Sequence, residues 1–518
     1  MQLNFTLRKS VMELKYDKND SKRSKTVIDQ AIIDFIEIGI RKQKIAKLDR
    51  VYKTNQLLAL LHKIDFKPPG AYSTPLPSVL EVLDELVNYA ATTGRIEDSP
   101  SHRDVLEAEI MDLVTPLPSK VNDDFWSLYE NSPKEATDYF YGLSQSNNYI
   151  KTRSIAKNIH FLKETEYGDL EITINLSKPE KDSKEIALAK NAVSSSYPAC
   201  LLCMENEGYE GHATHPGRAN HRLVRMSVNH ETWGFQYSPY SYYNEHAIFL
   251  SEEHRPMNVN GEAYRNLLNI VETLPHYFVG SNAGLPIVGG SILTHDHYQG
   301  GRHTFPMEKA ETNVPFSLDQ YPEVTCGIVK WPMSVIRLKS KQPEALVEAG
   351  SYILGKWEQY SDESAGIRAY SGKEPHNAIT PIARQKNGVF ELDLVLRNNR
   401  TSAEFPDGIF HPHPDVQHIK KENIGLIEVM GLAILPPRLE TELKEVEQYL
   451  LDQPNTIADY HKEWADELKA TQHITKETVG KVIQEGVGSV FLRVLEDAGV
   501  YKATDDGKEA FKRFVETL

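Results

Sequence analysis

The hydrophobic period of the chain changes near residue 170, and this change limits the folds that the sequence can adopt. Between residues 79 and 90 the apolar residues recur every three or four positions, which predicts a helix with one buried face. Over 170–176, and again over 390–396, apolar residues alternate with polar ones, as in half-buried strands. After Pro436 the chain becomes charged and helical again. Helical segments on both sides of a strand-rich centre predict an α+β fold.

Length and composition exclude several classes of protein. The chain has 518 residues, which predicts roughly two to four structural units. Its net charge of −15 makes it a poor general binder of nucleic acid, because phosphate backbones attract positive surfaces. It has no apolar stretch of the length that a membrane helix needs, and its first 25 residues are polar, so we expect no secretory signal there. Three cysteines are too few for a disulfide scaffold, so we expect a cytoplasmic protein.

The segment from Gly289 to Gly301 carries the clearest chemical pattern. It places His295, His297 and Gln299 at alternate positions, with pairs of glycines on both sides. On a strand these side chains would share one face, because side chains alternate with a period of two. The flanking glycines would allow a bulky anionic ligand to approach closely.

Such a pattern suits transfer of a phosphoryl-type group. Imidazole is mostly unprotonated near pH 7, so His297 could attack phosphorus and form a covalent N–P intermediate. The amide of Gln299 could donate to a phosphoryl oxygen as charge develops. A metal-binding pair or two surface histidines remain alternatives. A second H-x-H, at His411 and His413, lacks the glutamine and the glycines, and we interpret it as a substrate-side loop or a metal contact.

Cys200 and Cys203 form a C-x-x-C pair that suits zinc. Tetrahedral zinc needs two more ligands, for which His254 and His295 are candidates. A metal on His295 would fix the first histidine of the triad and thereby orient His297. The alternative is a reduced, buried pair of cysteines without a metal.

Two further polar segments could contact a nucleotide. Several tyrosines precede Asn244 and Glu245, a combination that suits a flat base and a ribose, since carboxylates accept well from ribose hydroxyls. An aromatic core strand would explain the same tyrosines. Lys178 and Lys181 follow the predicted strand over 170–176 and could meet phosphate, although a solvated loop is the alternative.

Together these residues resemble the galactose-1-phosphate uridylyltransferase family, specifically its second, bacterial class, which belongs to the histidine-triad superfamily. The resemblance covers most of the chain. Its most specific stretches are LEITINLSKPEKDSKEIA (170–187), YPACLLCMENEGYEGHATHPGRANHR (197–222), QYSPYSYYNEHAIFL (236–250), EEHRPM (252–257) and PHYFVGSNAGLPIVGGSILTHDHYQGG (275–301).

The resemblance implies a role for particular residues. It makes His297 the uridylylated nucleophile and Gln299 the group that holds the phosphoryl. It implies a structural zinc on Cys200, Cys203, His254 and His295. It implies substrate contacts through Asn244 and Glu245 at the ribose, Asn282, Gly284 and Ser291 near the phosphates, Lys178 and Lys181 in the phosphate loop, and Lys421 and Glu428 at the hexose.

The sequence also departs from the better-studied class of the family. Asp296 and Tyr298 replace a proline and a glycine within the triad, and the phosphate loop is rich in lysine instead of arginine. The strand that would carry a second metal site, at 392–396, has no histidine, so we expect no second metal.

The resemblance further implies two antiparallel, histidine-triad-like halves with a helical N-terminal region and C-terminal helices. We expect a helical region at 1–165, a catalytic half at 166–320, a second, substrate-side half at 321–440 and C-terminal helices at 441–518. The implied reaction moves UMP from UDP-glucose to galactose 1-phosphate by double displacement, in a homodimer that binds neither nucleic acid nor membrane. Another histidine-triad nucleotidyl transferase, a nucleotide hydrolase and a zinc-dependent scaffold remain alternatives.

Overall fold

A computed structural model describes residues 18–177, 196–212, 214–290 and 292–518. Within these ranges the chain divides into two compact units. The first contains the residues up to Pro116 together with Gly208–Asn220, and the second contains 117–177, 196–207 and His221–Leu518. No helix in the described ranges is both long and apolar enough to cross a membrane. This division does not address the boundaries predicted near 165, 320 and 440, which stay predictions.

The first unit is helical. Its helices are α1 (Lys18–Arg41), α2 (Arg50–Leu60), α3 (Val79–Thr92) and α4 (Pro100–Asp112). Helix α3 begins at a capping box, in which the Glu81 amide donates to Ser78 Oγ and the Ser78 amide donates to the Glu81 carboxylate. Its buried face consists of Val82, Leu83, Leu86, Val87 and Ala90. The helix predicted from the apolar spacing at 79–90 is therefore confirmed.

The second unit contains the other helices of the described ranges. They are α5 (Pro118–Tyr129), α6 (Pro133–Ser146), α7 (Thr152–Ile155), α8 (Gly261–Thr273), α9 (Pro306–Lys309), α10 (Pro343–Gln359), α11 (Leu426–Val429), α12 (Leu439–Leu450), α13 (Asp459–Thr471), α14 (Val479–Ala498) and α15 (Asp505–Val515). Helices α12 to α15 form the C-terminal helical segment that the charged, periodic sequence after Pro436 predicts.

Two small sheets accompany the main one. Strand β2 (Leu170–Ile174) lies between antiparallel β1 (Ile159–Lys163) and parallel β15 (Leu432–Leu435). A short hairpin pairs β11 (Tyr370–Ser371) with β12 (Glu374–Pro375). The strand predicted from alternation at 170–176 is confirmed.

The main sheet has ten strands in the described part of the chain, and every neighbouring pair is antiparallel. In spatial order these are β3 (Val224–Val228), β4 (Glu231–Tyr237), β5 (Ala247–Ser251), β7 (His297–Gly301), β6 (Phe278–Gly280), β13 (Asn377–Lys386), β14 (Val389–Asn398), β10 (Val335–Ser340), β9 (Thr325–Val329) and β8 (Thr312–Phe316).

The sheet consists of two halves of five strands each. In each half, three consecutive strands are followed by a helix, α8 or α10, and then by two strands that lie nearer the centre. The halves join where β6 pairs with β13, through Gly280 and Ile382. The predicted α+β fold with antiparallel halves and flanking helices is confirmed, and the two halves form one continuous sheet.

Candidate active site

Strand β7 places the last two residues of the H-x-H-x-Q pattern, His297 and Gln299, on one face of the sheet. His297 pairs with Leu250 of β5, and Gln299 pairs with Ile248 of β5 and with Gly280 of β6. Tyr298, between them, points to the opposite face, where its ring stacks on Trp233 and its hydroxyl accepts a hydrogen bond from Asn266 of α8. The alternation that the sequence predicts therefore separates a packing residue from two chemical ones.

A cavity of about 1030 Å³ lies over this face. Its volume is in the range that holds sugar- and nucleotide-sized ligands. A Cβ added at Gly290 would come within 2.7 Å of the Asn282 side chain, so the wall has room only for glycine there. The polar side chains that line the cavity are Asn175, Ser238, Tyr242, His246, Asn282, His297, Gln299, Lys420, Glu422, Asn423 and Glu428.

His297 is held as a neutral base. Its Nδ1–H donates to the carbonyl oxygen of His295 at 2.7 Å, so its Nε2 carries the free lone pair. The side chain is 7% exposed, and this burial lowers the pKa of His297. A neutral imidazole with one nitrogen free is the form that can attack an electrophilic phosphorus atom.

The carbonyl end of Gln299 contacts His246. Its Oε1 lies 3.0 Å from His246 Nε2. Burial lowers the pKa of His246 to about 4, so this imidazole is also neutral near pH 7. Sequence reasoning missed His246, although it stands next to Glu245 at the end of the tyrosine-rich segment. The signal is weak, because only the sheet register brings residue 246 beside residue 299.

The four predicted metal ligands lie together. Cys200 Sγ is 3.4 Å from Cys203 Sγ and 3.2 Å from His295 Nδ1, and Cys203 Sγ is 3.0 Å from His254 Nδ1. All four ligand atoms lie within 4.8 Å of one another. His295 precedes β7, its ligand atom lies with the cysteines, and it is not in the described lining of the cavity. The expectation that all three side chains of the H-x-H-x-Q pattern share one face is therefore wrong for His295, because the strand begins only at His297.

The donor set fits a metal ion. Bonds of about 2.0–2.3 Å around a tetrahedral ion place neighbouring ligand atoms roughly 3.3–3.8 Å apart, close to the spacing here. His295 Nε2–H donates to the carbonyl oxygen of Ser251 at 2.8 Å, which leaves Nδ1 free to bind a metal. Burial opposes ionisation of Cys200, but its hydrogen bond with His295 keeps the pKa of this thiol below its usual value. Burial and the neighbouring Cys200 raise the pKa of Cys203 to about 12.

Asn282 links two parts of the cavity wall. It follows β6, and its Oδ1 accepts a hydrogen bond from the Leu426 amide of α11 at 2.9 Å. Its amide nitrogen forms part of the wall beside Gly290. Gly284 lies outside the described lining of the cavity.

Glu428 also lies in the cavity wall. Its carboxylate accepts from Lys420 Nζ at 3.0 Å and from the Gly425 amide at 3.2 Å. Lys421 is exposed and is not among the described residues of the lining, whereas the neighbouring Lys420 is. The predictions for Lys178, Lys181 and Ser291 fall outside the described residues.

Asn244 and Glu245 lie apart from the described lining. Glu245 is fully buried, and its carboxylate accepts from Tyr277 Oη at 2.6 Å and forms an ion pair with Arg302. Burial raises the pKa of Glu245. Asn244 is exposed. A ribose contact through these two residues stays a prediction.

The second H-x-H is engaged in packing. The ring of His413 stacks on Phe405 with centroids 4.2 Å apart, and its Nε2–H donates to the carbonyl oxygen of Ile409 at 3.1 Å. His411 is buried beside Asn423, with 3.4 Å between His411 Nε2 and Asn423 Oδ1. Neither histidine belongs to the described lining of the cavity.

Comparison with known proteins gives concordant matches over most of the chain. The family model described as "Galactose-1-phosphate uridyl transferase, N-terminal domain" matches residues 43–256, and that described as its C-terminal domain matches residues 270–466. A protein of Enterococcus faecalis named galactose-1-phosphate uridylyltransferase is 56% identical over 94% of this chain and 98% of its own length. A protein of Ligilactobacillus salivarius with the same name is 56% identical over 95% of this chain and 99% of its own length.

Among solved structures, yeast Ap4A phosphorylase Apa2 aligns with a TM-score of 0.33 and 13% identity, over 60% of this chain and 94% of that one. A likeness this weak carries no argument. Sequence identity over nearly the full chain therefore assigns the family. The geometry of the cavity indicates which side chains could carry out the chemistry.

Proposed function

The chain belongs to the galactose-1-phosphate uridyl transferase family, and we propose that it moves a uridylyl group from UDP-glucose to galactose 1-phosphate through His297. The products are glucose 1-phosphate and UDP-galactose, so the protein is a nucleotidyltransferase of galactose metabolism. The observation that carries the assignment of the nucleophile is the neutral His297, with its Nδ1–H bonded to the chain and its Nε2 free in a cavity of substrate size.

In the first displacement, the Nε2 lone pair of His297 attacks the α-phosphorus of UDP-glucose. An N–P bond forms, and the bond from that phosphorus to the oxygen of glucose 1-phosphate breaks, with its electron pair leaving on that oxygen. The ring becomes positively charged. The hydrogen bond from Nδ1 to the His295 carbonyl oxygen stabilises that charge.

In the second displacement, a phosphate oxygen of galactose 1-phosphate attacks the uridylyl phosphorus. The N–P bond breaks and its electron pair returns to His297 Nε2. Gln299 lies on the same face and donates to the phosphoryl oxygens as charge develops in either step. One cavity serves both steps because the two sugar phosphates differ in a single stereocentre, and the enzyme supplies positioning and charge stabilisation.

We propose that Cys200, Cys203, His254 and His295 hold zinc. Two thiolates and two imidazoles fill a tetrahedral ion completely, which makes the site structural. When bound, such a metal would supply a rigid anchor for the main chain at His295. The carbonyl oxygen of His295 orients the ring of His297 by accepting the hydrogen bond from its Nδ1.

Other substrate contacts follow from the lining. We propose that Asn282 and Glu428 contact substrate. We also propose that Lys420, and not Lys421, is the cation that contacts the sugar phosphate in the cavity. The roles expected for Asn244, Glu245, Gly284, Ser291, Lys178 and Lys181 stay predictions. From family membership we also propose a homodimer and a cytoplasmic location.

An intact-mass measurement tests the mechanism. The full chain is mixed with UDP-glucose, and the mass of the protein and the released glucose 1-phosphate are followed together. We expect the mass to rise by one UMP per chain, with an equal amount of glucose 1-phosphate, and peptide mapping to place the label on His297. A label on His413, or release of glucose 1-phosphate only by hydrolysis, would contradict the proposal.

A further inference from the structure

The amide of Gln299 could face the cavity in two ways. Its oxygen and nitrogen have almost the same size and shape, so packing alone does not distinguish them. A phosphoryl oxygen can only accept hydrogen bonds. The nitrogen of Gln299 would therefore stabilise it, and the oxygen would repel it. The chain needs a group that selects the correct orientation.

His246 is in the position to make that selection. It lies immediately before β5, and its Nε2 is 3.0 Å from Gln299 Oε1. The residue is 3% exposed, and its ring contacts the rings of Tyr242 and Tyr243, with centroids 5.3 and 4.6 Å away. These neighbours restrict its rotation, so the distance to Gln299 is fixed by packing.

The surroundings of His246 also determine its tautomer. Nδ1 is buried and has no hydrogen-bond partner within the described part of the chain. A neutral imidazole has one N–H, and a buried N–H without a partner costs more free energy than leaving the proton on the nitrogen that has one. The proton therefore lies on Nε2, which needs an acceptor at Gln299. The glutamine must turn its oxygen toward His246 and its NH₂ group toward the cavity.

We infer that His246 is a positioning residue that fixes the amide of Gln299 with its donor side toward the transferred phosphoryl group. The inference rests on the proposed function, because it assigns Gln299 to the phosphoryl group held on His297. His246 itself touches no reacting atom and acts only through the orientation of the Gln299 amide.

A matched pair of amide substitutions tests this role. In His246→Gln the side-chain nitrogen reaches about as far as Nε2 and can still donate to Gln299 Oε1. In His246→Asn the nitrogen ends near the former Nδ1 and leaves Gln299 without its donor. We expect His246→Gln to keep uridylylation of the protein by UDP-glucose within about threefold of wild type, and His246→Asn to slow it by about tenfold to a hundredfold with little change in KM.

A double-mutant cycle with Gln299→Ala separates positioning from a general structural effect. Once Gln299 is removed, His246→Asn should cost nothing further in the rate of uridylylation, because the two residues act as one unit. Additive losses, or equal rates in the Gln and Asn variants, would overturn the inference. His246→Leu, which has no polar atom, replaces His246→Asn in the cycle if circular dichroism shows that the Asn variant is unfolded.

The wild-type protein keeps this test independent of the proposed function. If wild type gains no UMP on His297, the proposed function fails whatever the variants do. If wild type is labelled on His297 and the Asn variant is labelled equally fast, only the role of His246 fails.

Discussion

The two halves of the ten-stranded sheet carry different side chains at equivalent positions. Gly280 of β6 and Ile382 of β13 pair across the junction between the halves. On its other side Gly280 pairs with Gln299 of β7, and Ile382 pairs with Asp393 of β14. Gln299 and Asp393 are therefore equivalent by register, and so are the residues two places before each, His297 and Glu391.

The first half leaves these positions neutral, and the second half fills them with paired charges. Asp393 accepts from Arg337 at 2.7 Å and also bonds Arg384. Glu391 binds Arg384 at 2.9 Å and Lys339 at 2.6 Å. Burial would raise the pKa of Asp393, but the guanidinium groups of Arg384 and Arg337 keep it below its usual value.

This difference agrees with the proposal that His297 is the nucleophile and that the equivalent position of the second half is not. A nucleophile needs a lone pair that no other group occupies, and His297 Nε2 keeps one because Nδ1 makes the bond to the chain. The carboxylates of the second half have no such freedom, since buried cations occupy their oxygens. Equivalent strand positions therefore hold uncharged side chains in the first half and ion-paired side chains in the second.

The largest effect should come from removing the nucleophile. We expect His297→Ala to lower the rate of uridylyl transfer by roughly 10⁴-fold or more, because no other group replaces the covalent step. The rate of UDP-galactose formation measures it. His413→Ala is the matched control and should stay within about twofold, since His413 packs on Phe405. Transfer at the wild-type rate by His297→Ala would remove the distinction between the halves.

Substitutions at the paired charges of the second half should lower the stability of the protein. Asp393→Asn takes the paired carboxylate from the buried Arg337 and leaves the buried Arg384 with Glu391 alone, which should lower the free energy of unfolding by about 3–5 kcal/mol. Urea unfolding followed by tryptophan fluorescence measures the change. Asp459→Asn, which breaks an exposed ion pair with Lys462, should leave the midpoint unchanged. Equal midpoints for both variants would show that the paired charges do not hold the second half together.

Metal binding should depend on Cys200 and Cys203, which lie beside the first half, and not on Cys326 of the second half. Losing outer partners of a metal ligand typically weakens binding by about 10–100-fold, and loss of a direct ligand should cost at least as much. Cys203→Ser should therefore lose most of its zinc in a competition with a chromogenic chelator. Cys326→Ser, at a buried cysteine of β9, should keep the wild-type zinc content. Loss of zinc from both variants would argue that unfolding, and not ligation, releases the metal.

Acid should weaken the two halves in different pH ranges. The folded pKa of His246, about 4, is below its reference value of about 6.5, so the unfolded chain binds more protons between these values. The contribution of His246 to stability is complete above about pH 6.5 and is lost as the pH falls toward 4. This loss amounts to roughly 2 kcal/mol between pH 7 and 5. The lowered pKa of Asp393 has the same sign, but its loss begins only below about pH 3.9.

Urea unfolding at pH 7 and at pH 5 checks the assignment to His246. His246→Gln has no group that titrates at this position, so it should lose less stability than wild type between the two pH values. Asp393→Asn should lose as much as wild type over this range. The same loss in wild type and His246→Gln would mean that other buried groups bind the protons.

Local sequence predicted much of this molecule. The capping box at Ser78 and the apolar spacing after it were sufficient for α3, because both interactions form within one helix. Alternation predicted β2 and β14 for the same local reason. The H-x-H-x-Q pattern placed His297 and Gln299 on one face, and the C-x-x-C pair brought Cys200 and Cys203 together.

Contacts between distant segments could not be predicted in this way. Register between β5 and β7 brings His246 to Gln299. The path of the chain before α11 places Lys420, and not Lys421, in the lining of the cavity. Neighbouring lysines are equivalent in a sequence, and only the path of the chain decides which of them is buried.

The sequence by itself determined the element types and the identity of the reactive groups, because helical period, strand alternation and side-chain chemistry act over a few residues. The tertiary structure alone decided which of two equivalent sheet positions keeps a free lone pair, which tautomer His246 adopts and which oxygens buried cations occupy. Those properties depend on burial and on partners far away in the chain, and no short stretch of sequence contains them.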